Sequence, residues 1–161
     1  MSEPFIVNVS DVPARAHPQA GITVFFETRA ERFPDFGINV HMLEPGEPSA
    51  MYHSESVQES FLVLGGNPQV ILNGRTHELK PWDFVHCPAG TEHVFLGAGD
   101  GPSWILMVGA RRPDRTIHYP RNEAAAAHGA SAEESTDDSR QAYAAWSGEF
   151  RETTMPWPPT R

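Results

Sequence analysis

The sequence predicts an all-β protein, a sandwich or a barrel built from many short strands. Fifteen prolines and thirteen glycines are spread over 161 residues, which is too many breaks for a helical bundle. Between positions 49 and 110, short apolar segments follow one another at regular intervals and are separated by turn residues. Asn73-Gly74 lies between two of these segments, and this dipeptide favours the tight turn of a β-hairpin. The length suits one domain of ordinary size, so we expect a single barrel.

The N-terminal part of the chain contributes three predicted strands. They are FIVNV (5–9), GITVFFE (21–27) and GINVHML (37–43). In the third strand apolar residues alternate with Gly37, Asn39 and His41, and this polar row favours a solvent face for His41, with the lining of a pocket as the alternative.

Seven further strands are predicted between positions 49 and 110. They are SAMYHS (49–54), ESFLVLG (59–65), PQVILN (68–73), RTHEL (75–79), DFVHC (83–87), EHVFLG (92–97) and SWILMVG (103–109). Residues 1–110 therefore form the predicted barrel domain with an N-terminal strand extension, and its core is 37–110.

The C-terminal tail, residues 111–161, is polar, acidic and rich in alanine. Short helices are predicted at 122–129, with Asn122 as the cap, and at 135–146, with Ser135 or Thr136 as the cap. The prolines after residue 155 predict no regular structure at 151–161. We expect this tail to pack on the barrel or on a partner subunit, with Trp157 as an anchor.

Charge and composition exclude several classes of partner. Twenty-one acidic against twelve basic residues give a net charge of −9, which repels phosphate backbones and anionic lipid, so we expect no nucleic acid and no membrane partner. No apolar run approaches the about 20 residues that span a bilayer, and a cytoplasmic location is expected. The single Cys87 excludes an internal disulfide and a multi-cysteine zinc site, and we interpret it as a buried, inert thiol.

A group of polar residues on one predicted strand face indicates metal chemistry. His53, Glu55 and Glu59 share the parity of Phe61 on an unbroken strand, so all four would project from one face. Carboxylates and an imidazole on an apolar inward face are costly unless something pairs with them. A divalent cation is the usual partner, because imidazole and carboxylate together suit zinc, iron, manganese and nickel. His93 follows forty residues after His53 on a strand that a hairpin-built barrel can bring alongside.

The spacing of these residues resembles the cupin superfamily. H-x-E-x3-E-x6-G, at His53, Glu55, Glu59 and Gly66, is similar to the first cupin motif, and D-x4-P-x-G-x2-H, which ends at His93, is similar to the second. The resemblance implies a double-stranded β-helix, the cupin or jelly-roll barrel, which holds a metal at its mouth through three histidines and one glutamate.

Glu55 stands where the cupin pattern has its second histidine. This difference leaves two alternatives: a four-ligand site of His53, Glu55, Glu59 and His93, or a three-ligand site with Glu55 beside it as a catalytic base. The three-ligand alternative resembles the hydroxyanthranilate dioxygenases, which are also cupins. Two imidazoles and one carboxylate leave coordination positions open for a substrate.

Two classes of function follow from the resemblance. The first is a metal-dependent enzyme that acts on a small organic molecule, dioxygenase-like if the metal is iron and an isomerase, lyase or hydrolase otherwise. The second is a non-catalytic metallo-cupin that binds a small molecule as a sensor or carrier. Exposed edge strands of such a barrel are commonly buried against a second copy, so we expect a homodimer.

Overall fold

The computed structural model describes residues 4–28 and 31–157, and it confirms the all-β class. Its strands are β1 (Ala14–His17), β2 (Gly21–Phe25), β3 (Phe36–Leu43), β4 (Ser54–Glu55), β5 (Glu59–Gly65), β6 (Gln69–Leu72), β7 (Arg75–Glu78), β8 (Phe84–Cys87), β9 (His93–Leu96), β10 (Ser103–Ala110), β11 (Ile117–His118) and β12 (Arg151–Thr153). Two one-turn helices, α1 (Glu123–Ala126) and α2 (Ser139–Ala142), lie in the C-terminal tail. No helix within these described ranges is long and apolar enough to cross a membrane.

The strands form two facing antiparallel sheets and a short pair. The larger sheet has the order β12-β1-β2-β3-β10-β5-β8, the smaller has the order β7-β6-β9, and β11 pairs with β4. Strands distant in sequence are neighbours in both sheets, as a double-stranded β-helix requires, because its chain crosses repeatedly between the sheets. The Asn73-Gly74 turn joins β6 to β7, and both of its residues have positive φ values, 45° and 77°, as the predicted hairpin turn demands.

One face of the larger sheet points toward the smaller sheet, and we call it the inner face. His41 on β3 is directly opposite Ile105 on β10, which is in turn opposite Val63 on β5. Directly opposed residues in antiparallel strands project to the same side, so these rows cross the sheet on one face. The buried core on this face consists of Leu43, Phe61, Val70, Val85, Cys87, Phe95 and Ile105.

The opposite face of the larger sheet is also covered. Val24, Val40 and Trp104 form a second buried cluster there with Met155 of the tail, and Trp157 packs against it. The indole N–H of Trp104 donates to the Pro156 carbonyl over 3.0 Å. The tail therefore packs on the barrel of its own chain, with Trp157 against the sheet. The domain boundary at residue 110 stays a prediction.

Two predictions about the ends of the barrel are wrong. Residues 5–9 are not a strand: the segment enters a 3₁₀ turn at Val9–Asp11, and the Asn8 side chain accepts a hydrogen bond from the Ser10 amide at 3.0 Å. The tail, in contrast, contains β12, which pairs with β1. The free edge of β1 supplies backbone partners that local sequence does not reveal. The predicted irregular structure at 158–161 lies outside the described residues.

The two predicted helices are present but short. The Asn122 side chain accepts a hydrogen bond from the Ala125 amide at 3.0 Å, which confirms the predicted cap. The second helix begins after Asp138, whose carboxylate accepts from the Arg140 amide at 2.9 Å, and not after Ser135 or Thr136.

Candidate metal centre

Backbone pairing places the two motif histidines side by side. His93 begins β9, and His53 lies just before β4 in an isolated bridge with it. The His53 amide donates to the His93 carbonyl over 3.1 Å, and the His93 amide donates to the His53 carbonyl over 2.7 Å. This reciprocal pair fixes the spacing of the two rings, whose centroids are 4.7 Å apart.

Glu59 completes a compact group of three ligand atoms. It is the first residue of β5 and projects from the inner face, as its parity with Phe61 predicts. One nitrogen or oxygen atom from each of His53, Glu59 and His93 lies within 4.8 Å of the other two. His93 Nε2 lies 3.3 Å from Glu59 Oε2.

Both imidazoles are oriented by backbone carbonyls behind them. His53 Nδ1 lies 2.7 Å from the Met51 carbonyl oxygen, and His93 Nδ1 lies 3.0 Å from that of Thr91. Since a carbonyl only accepts, each Nδ1 carries the hydrogen and each Nε2 keeps its lone pair. This is the arrangement of metal-binding histidines, in which an outer hydrogen bond fixes the tautomer and the ring.

The electrostatics of the group fit a bound cation. Burial lowers the pKa of His93 to about 4, with the neighbouring His53 ring adding to the effect, so the imidazoles are neutral, as ligation requires. Burial, together with the neighbouring Glu55 carboxylate, raises the pKa of Glu59 to about 8. A buried carboxylate between two neutral imidazoles lacks a positive partner, and a divalent metal would supply one.

Glu55 lies beside this group in an ion pair. Both oxygens of its buried carboxylate accept hydrogen bonds from Arg115, through Nε and one terminal nitrogen. Its Oε1 is 4.0 Å from His53 Nε2, close to the three-residue group but outside it. The predicted roles of Glu55, as a fourth ligand or as a catalytic base, both stay predictions.

Arg115 is a neighbour of the candidate site that the sequence pattern did not reveal. It lies outside both motifs, in the tail, and no local pattern connects it to Glu55. One physical argument could have indicated it. A carboxylate that points inward needs a cationic partner, and the segment 111–115 is basic.

Tyrosines of the tail cover the mouth of the barrel. The buried Tyr119 lies against His53, with ring centroids 6.0 Å apart, and its ring meets Tyr143 edge-on at 5.8 Å. The Tyr143 hydroxyl accepts a hydrogen bond from the Met51 amide at 3.1 Å. Met51 thus connects the tail to the metal centre, because its carbonyl orients His53.

Cys87 on β8 is directly opposite Glu59 on β5, and its side chain is fully buried. Burial raises the pKa of its thiol to about 12, and the Glu59 carboxylate adds to this effect. The thiol is therefore protonated, which agrees with its interpretation as an inert residue.

These observations define the class of protein: a small antiparallel jelly-roll barrel with a possible His–Glu–His metal site. The family model for the cupin domain matches residues 39–109, which include all three residues of the site. Residues 39–109 therefore form a cupin domain.

Three individual proteins illustrate the range of its relatives. A 5-nitrosalicylic acid 1,2-dioxygenase from Bradyrhizobium sp. is 25% identical over 75 residues, which are 47% of this chain and 36% of that protein. The chain thus matches about a third of the length of this curated relative. The polyketide cyclase RemF from Streptomyces resistomycificus superposes with a TM-score of 0.60 at 21% identity, covering 70% of this chain and 84% of the cyclase. A sugar phosphate isomerase of the cupin superfamily from Silicibacter pomeroyi superposes with a TM-score of 0.56 at 21% identity. The superposition covers 95% of this chain and 83% of the isomerase.

Proposed function

We propose that this protein is a metal-dependent enzyme that acts on a small organic molecule, with one divalent metal held by His53, Glu59 and His93. The observation that carries the proposal is the convergence of three ligand atoms within 4.8 Å, two of them on imidazoles fixed in the ligating tautomer. Three protein ligands leave coordination positions for a substrate, which is typical of catalytic rather than structural sites.

The metal, when bound, would act as a Lewis acid on a coordinated oxygen of the substrate. His53 and His93 supply neutral nitrogen donors, and Glu59 supplies the negative charge that partly balances the cation. Phe61 lies against His93, with ring centroids 5.3 Å apart, and keeps water from that side of the site. Tyr119 does the same beside His53.

The ion pair with Arg115 favours a positioning role for Glu55. Both oxygens of its carboxylate are already occupied by charge-assisted hydrogen bonds from the Arg115 guanidinium. The pair also anchors the tail over the metal centre. Glu55 would act as a base only if Arg115 moved away.

Dioxygenation is the reaction that we propose to assay first. Two histidines and one carboxylate with open positions suit the non-haem iron oxygenases, and the curated relative described above is named as a 1,2-dioxygenase. Isomerisation and cyclisation, the activities in the names of two structural neighbours, come next.

Metal analysis of the purified protein tests the proposal. We expect about one divalent metal per chain, and at least about tenfold less in His93→Ala, because that substitution removes a direct ligand. His86→Ala is the matched control, since His86 is an exposed histidine on β8 that contacts Ser60. Full metal content in a His53→Ala, His93→Ala double variant would contradict the site. Metal that resists small chelators, together with no turnover, would favour the non-catalytic sensor or carrier.

The predicted homodimer and cytoplasmic location stay predictions. β8 forms one edge of the larger sheet and exposes Phe84, with Trp82 exposed just before it. Light scattering of the parent and of a Trp82→Ser variant would test dimerisation through this edge.

A further inference from the structure

A cavity lies on the inner face, under the tail. Its volume is about 540 Å³, within the about 300–1,000 Å³ usual for small-molecule pockets. The floor comes from β1, β2, β3 and β10, and the roof comes from the tail. The lining residues that the argument uses are His17, Asn39, His41, Met107, Trp146 and Phe150. We call this cavity the aromatic pocket.

None of the three candidate metal ligands lines the aromatic pocket, although it adjoins the metal centre. Met107 on the pocket floor is directly opposite Phe61 on the next strand, and Phe61 contacts His93. On the roof side, Tyr143 of the pocket meets Tyr119, which lies against His53. The floor of the pocket, through Met107, and its roof, through Tyr143, therefore both lead to the candidate metal centre.

The walls of the pocket are aromatic and carry no fixed charge. His17 lies between Trp146 and Phe150, with ring centroids 5.6 Å and 4.9 Å away. No aspartate, glutamate, lysine or arginine is among the described residues that line it. A planar, apolar ligand gains stacking contacts here, whereas an ion would lose hydration without gaining a partner.

Two polar groups in the pocket have unused acceptors. His41 is buried, and its Nε2 lies 2.5 Å from the Ala20 carbonyl oxygen, so Nε2 carries the hydrogen and Nδ1 is left as an acceptor. Asn39 Oδ1 is buried and has no hydrogen-bond partner in the described part of the chain. A buried acceptor without a partner, such as Asn39 Oδ1, is costly unless a donor is supplied.

We propose that the aromatic pocket binds an uncharged aromatic molecule that carries a hydroxyl or amino group, which donates a hydrogen bond to His41 or Asn39. The rings of Trp146 and Phe150 would enclose the ligand from the tail side. Binding here does not require a metal, and it goes beyond the proposed function by adding a second recognition site next to the metal centre.

Calorimetric titration with 2-naphthol tests the pocket against two matched compounds. 2-Methoxynaphthalene keeps the rings but lacks the donor hydrogen, and 2-naphthoate carries a negative charge. We expect 2-naphthol to bind at least about tenfold more tightly than either compound, because only it satisfies an orphaned acceptor without bringing a charge. Equal affinities, or no binding of 2-naphthol, would overturn the proposal. The same titration of His53→Ala should give the parent affinity, so a failure of the metal proposal would not be mistaken for a failure of this one.

Two exposed phenylalanines provide a matched pair of variants. Phe150 lines the pocket and is 63% exposed, whereas Phe84 on β8 lies outside it and is 65% exposed. Phe150→Ala should weaken 2-naphthol binding at least about threefold, and Phe84→Ala should leave it unchanged. Equal effects of the two substitutions would overturn the assignment.

Asn39→Leu tests the polar contact itself. Leucine has nearly the same shape but no polar atoms, so the free protein should unfold at the same or a higher temperature. The variant should lose at least half of the preference for 2-naphthol over 2-methoxynaphthalene, and a preference equal to the parent's would overturn the role of Asn39.

Discussion

Glu59 of the candidate metal centre and the floor of the aromatic pocket lie on the same inner face, and each of the two places contains a buried histidine that is hydrogen-bonded to a backbone carbonyl. In the metal centre, His53 and His93 use Nδ1 for this bond and direct Nε2 toward a shared point. His41 uses Nε2 instead, and no carboxylate is among the described residues that line its pocket. Burial alone therefore does not make a histidine a candidate ligand. Two features decide whether a buried histidine is a candidate ligand. They are which ring nitrogen bonds to the backbone carbonyl and which groups surround the other nitrogen.

The second difference is a carboxylate. Glu59 lies within reach of two imidazoles, whereas the nearest counterpart on the pocket floor is the amide of Asn39. A carboxylate lowers the free energy of a bound cation, and an amide of similar size does not. The same sheet face can thus support ion binding at one end and uncharged recognition at the other.

Removing the charge that distinguishes the two places should have the largest effect. Glu59→Gln keeps the shape of the side chain but loses a direct ligand, and we expect metal affinity to fall at least about a thousandfold, or about 4 kcal/mol. His41→Gln, in the pocket, should leave the affinity within about twofold. Competition with a chromophoric chelator measures both. A similar loss in the two variants would erase the distinction between the metal centre and the pocket.

The pH dependence of stability should identify His41 as a neutral buried group. Burial lowers its pKa from 6.5 to about 4, so the unfolded chain takes up a proton before the folded one does. The stability is fully present above pH 6.5 and declines as the pH falls toward 4, by about 3 kcal/mol in total. His17 and Tyr143, the other titratable residues that line the pocket, remain in the variant.

Denaturant unfolding of the parent and of His41→Gln between pH 7 and pH 4 checks this prediction. The variant should show a shallower decline, because glutamine does not titrate. Parallel pH profiles would contradict it.

Two arginines of the tail provide a sharper comparison at smaller magnitude. Arg115 pairs with Glu55 beside the candidate metal centre, and Arg111 pairs with Glu27, which is not part of that group. Each arginine to methionine change should cost about 1–2 kcal/mol of stability, since both guanidinium groups are partly exposed to solvent. Only Arg115→Met should also change metal affinity, because it frees a negative charge 4.0 Å from His53. Thermal unfolding measures the effect on stability, and metal titration measures the effect on affinity. An equal change in metal affinity in the two variants would contradict a role for Glu55 at the candidate metal centre.

The smallest expected effect concerns an orphaned polar atom outside both places. Ser103 Oγ is fully buried without a partner within the described residues, and Ser103 lines neither the metal centre nor the pocket. Ser103→Ala should therefore be neutral or stabilising by up to about 1 kcal/mol, and it should leave metal and 2-naphthol binding unchanged. Chemical denaturation measures the difference. A loss of more than about 1 kcal/mol would show that this hydroxyl has a partner.

Local patterns in the sequence predicted most strands of the barrel and the three residues that converge, but the strand predicted at 49–54 is reduced to the bridge at His53 and the first residue of β4. β5 and β10 have the alternation and length of ordinary strands, and the motif spacing located His53, Glu59 and His93. These features depend on residues within a few positions of each other, or on two motifs at a fixed interval. Such short-range information survives in a single sequence.

Features that depend on distant segments could not be predicted in the same way. His41 was expected on a solvent face because polar residues share its row, but β3 is covered on both faces, by the core and tail roof on one side and by Met155 and its neighbours on the other. Alternation loses its meaning for a strand buried on both sides. The contact between Arg115 and Glu55, and the pairing of β1 with β12, likewise arise only when the tail has returned to the barrel.

The pairing of β12 with β1 has a consequence for the order of folding. Arg15 is opposite Glu152, so nearly the whole described chain forms the loop that this pair closes. Closing so long a loop costs more entropy than the hairpins between β5 and β9, so we expect it late in folding. Trp146 and Phe150 lie just before β12, and their positions are set when that strand joins the sheet. We therefore expect a refolding chain to acquire its metal centre before its aromatic pocket, so that 2-naphthol binding returns in a slower kinetic phase than metal binding.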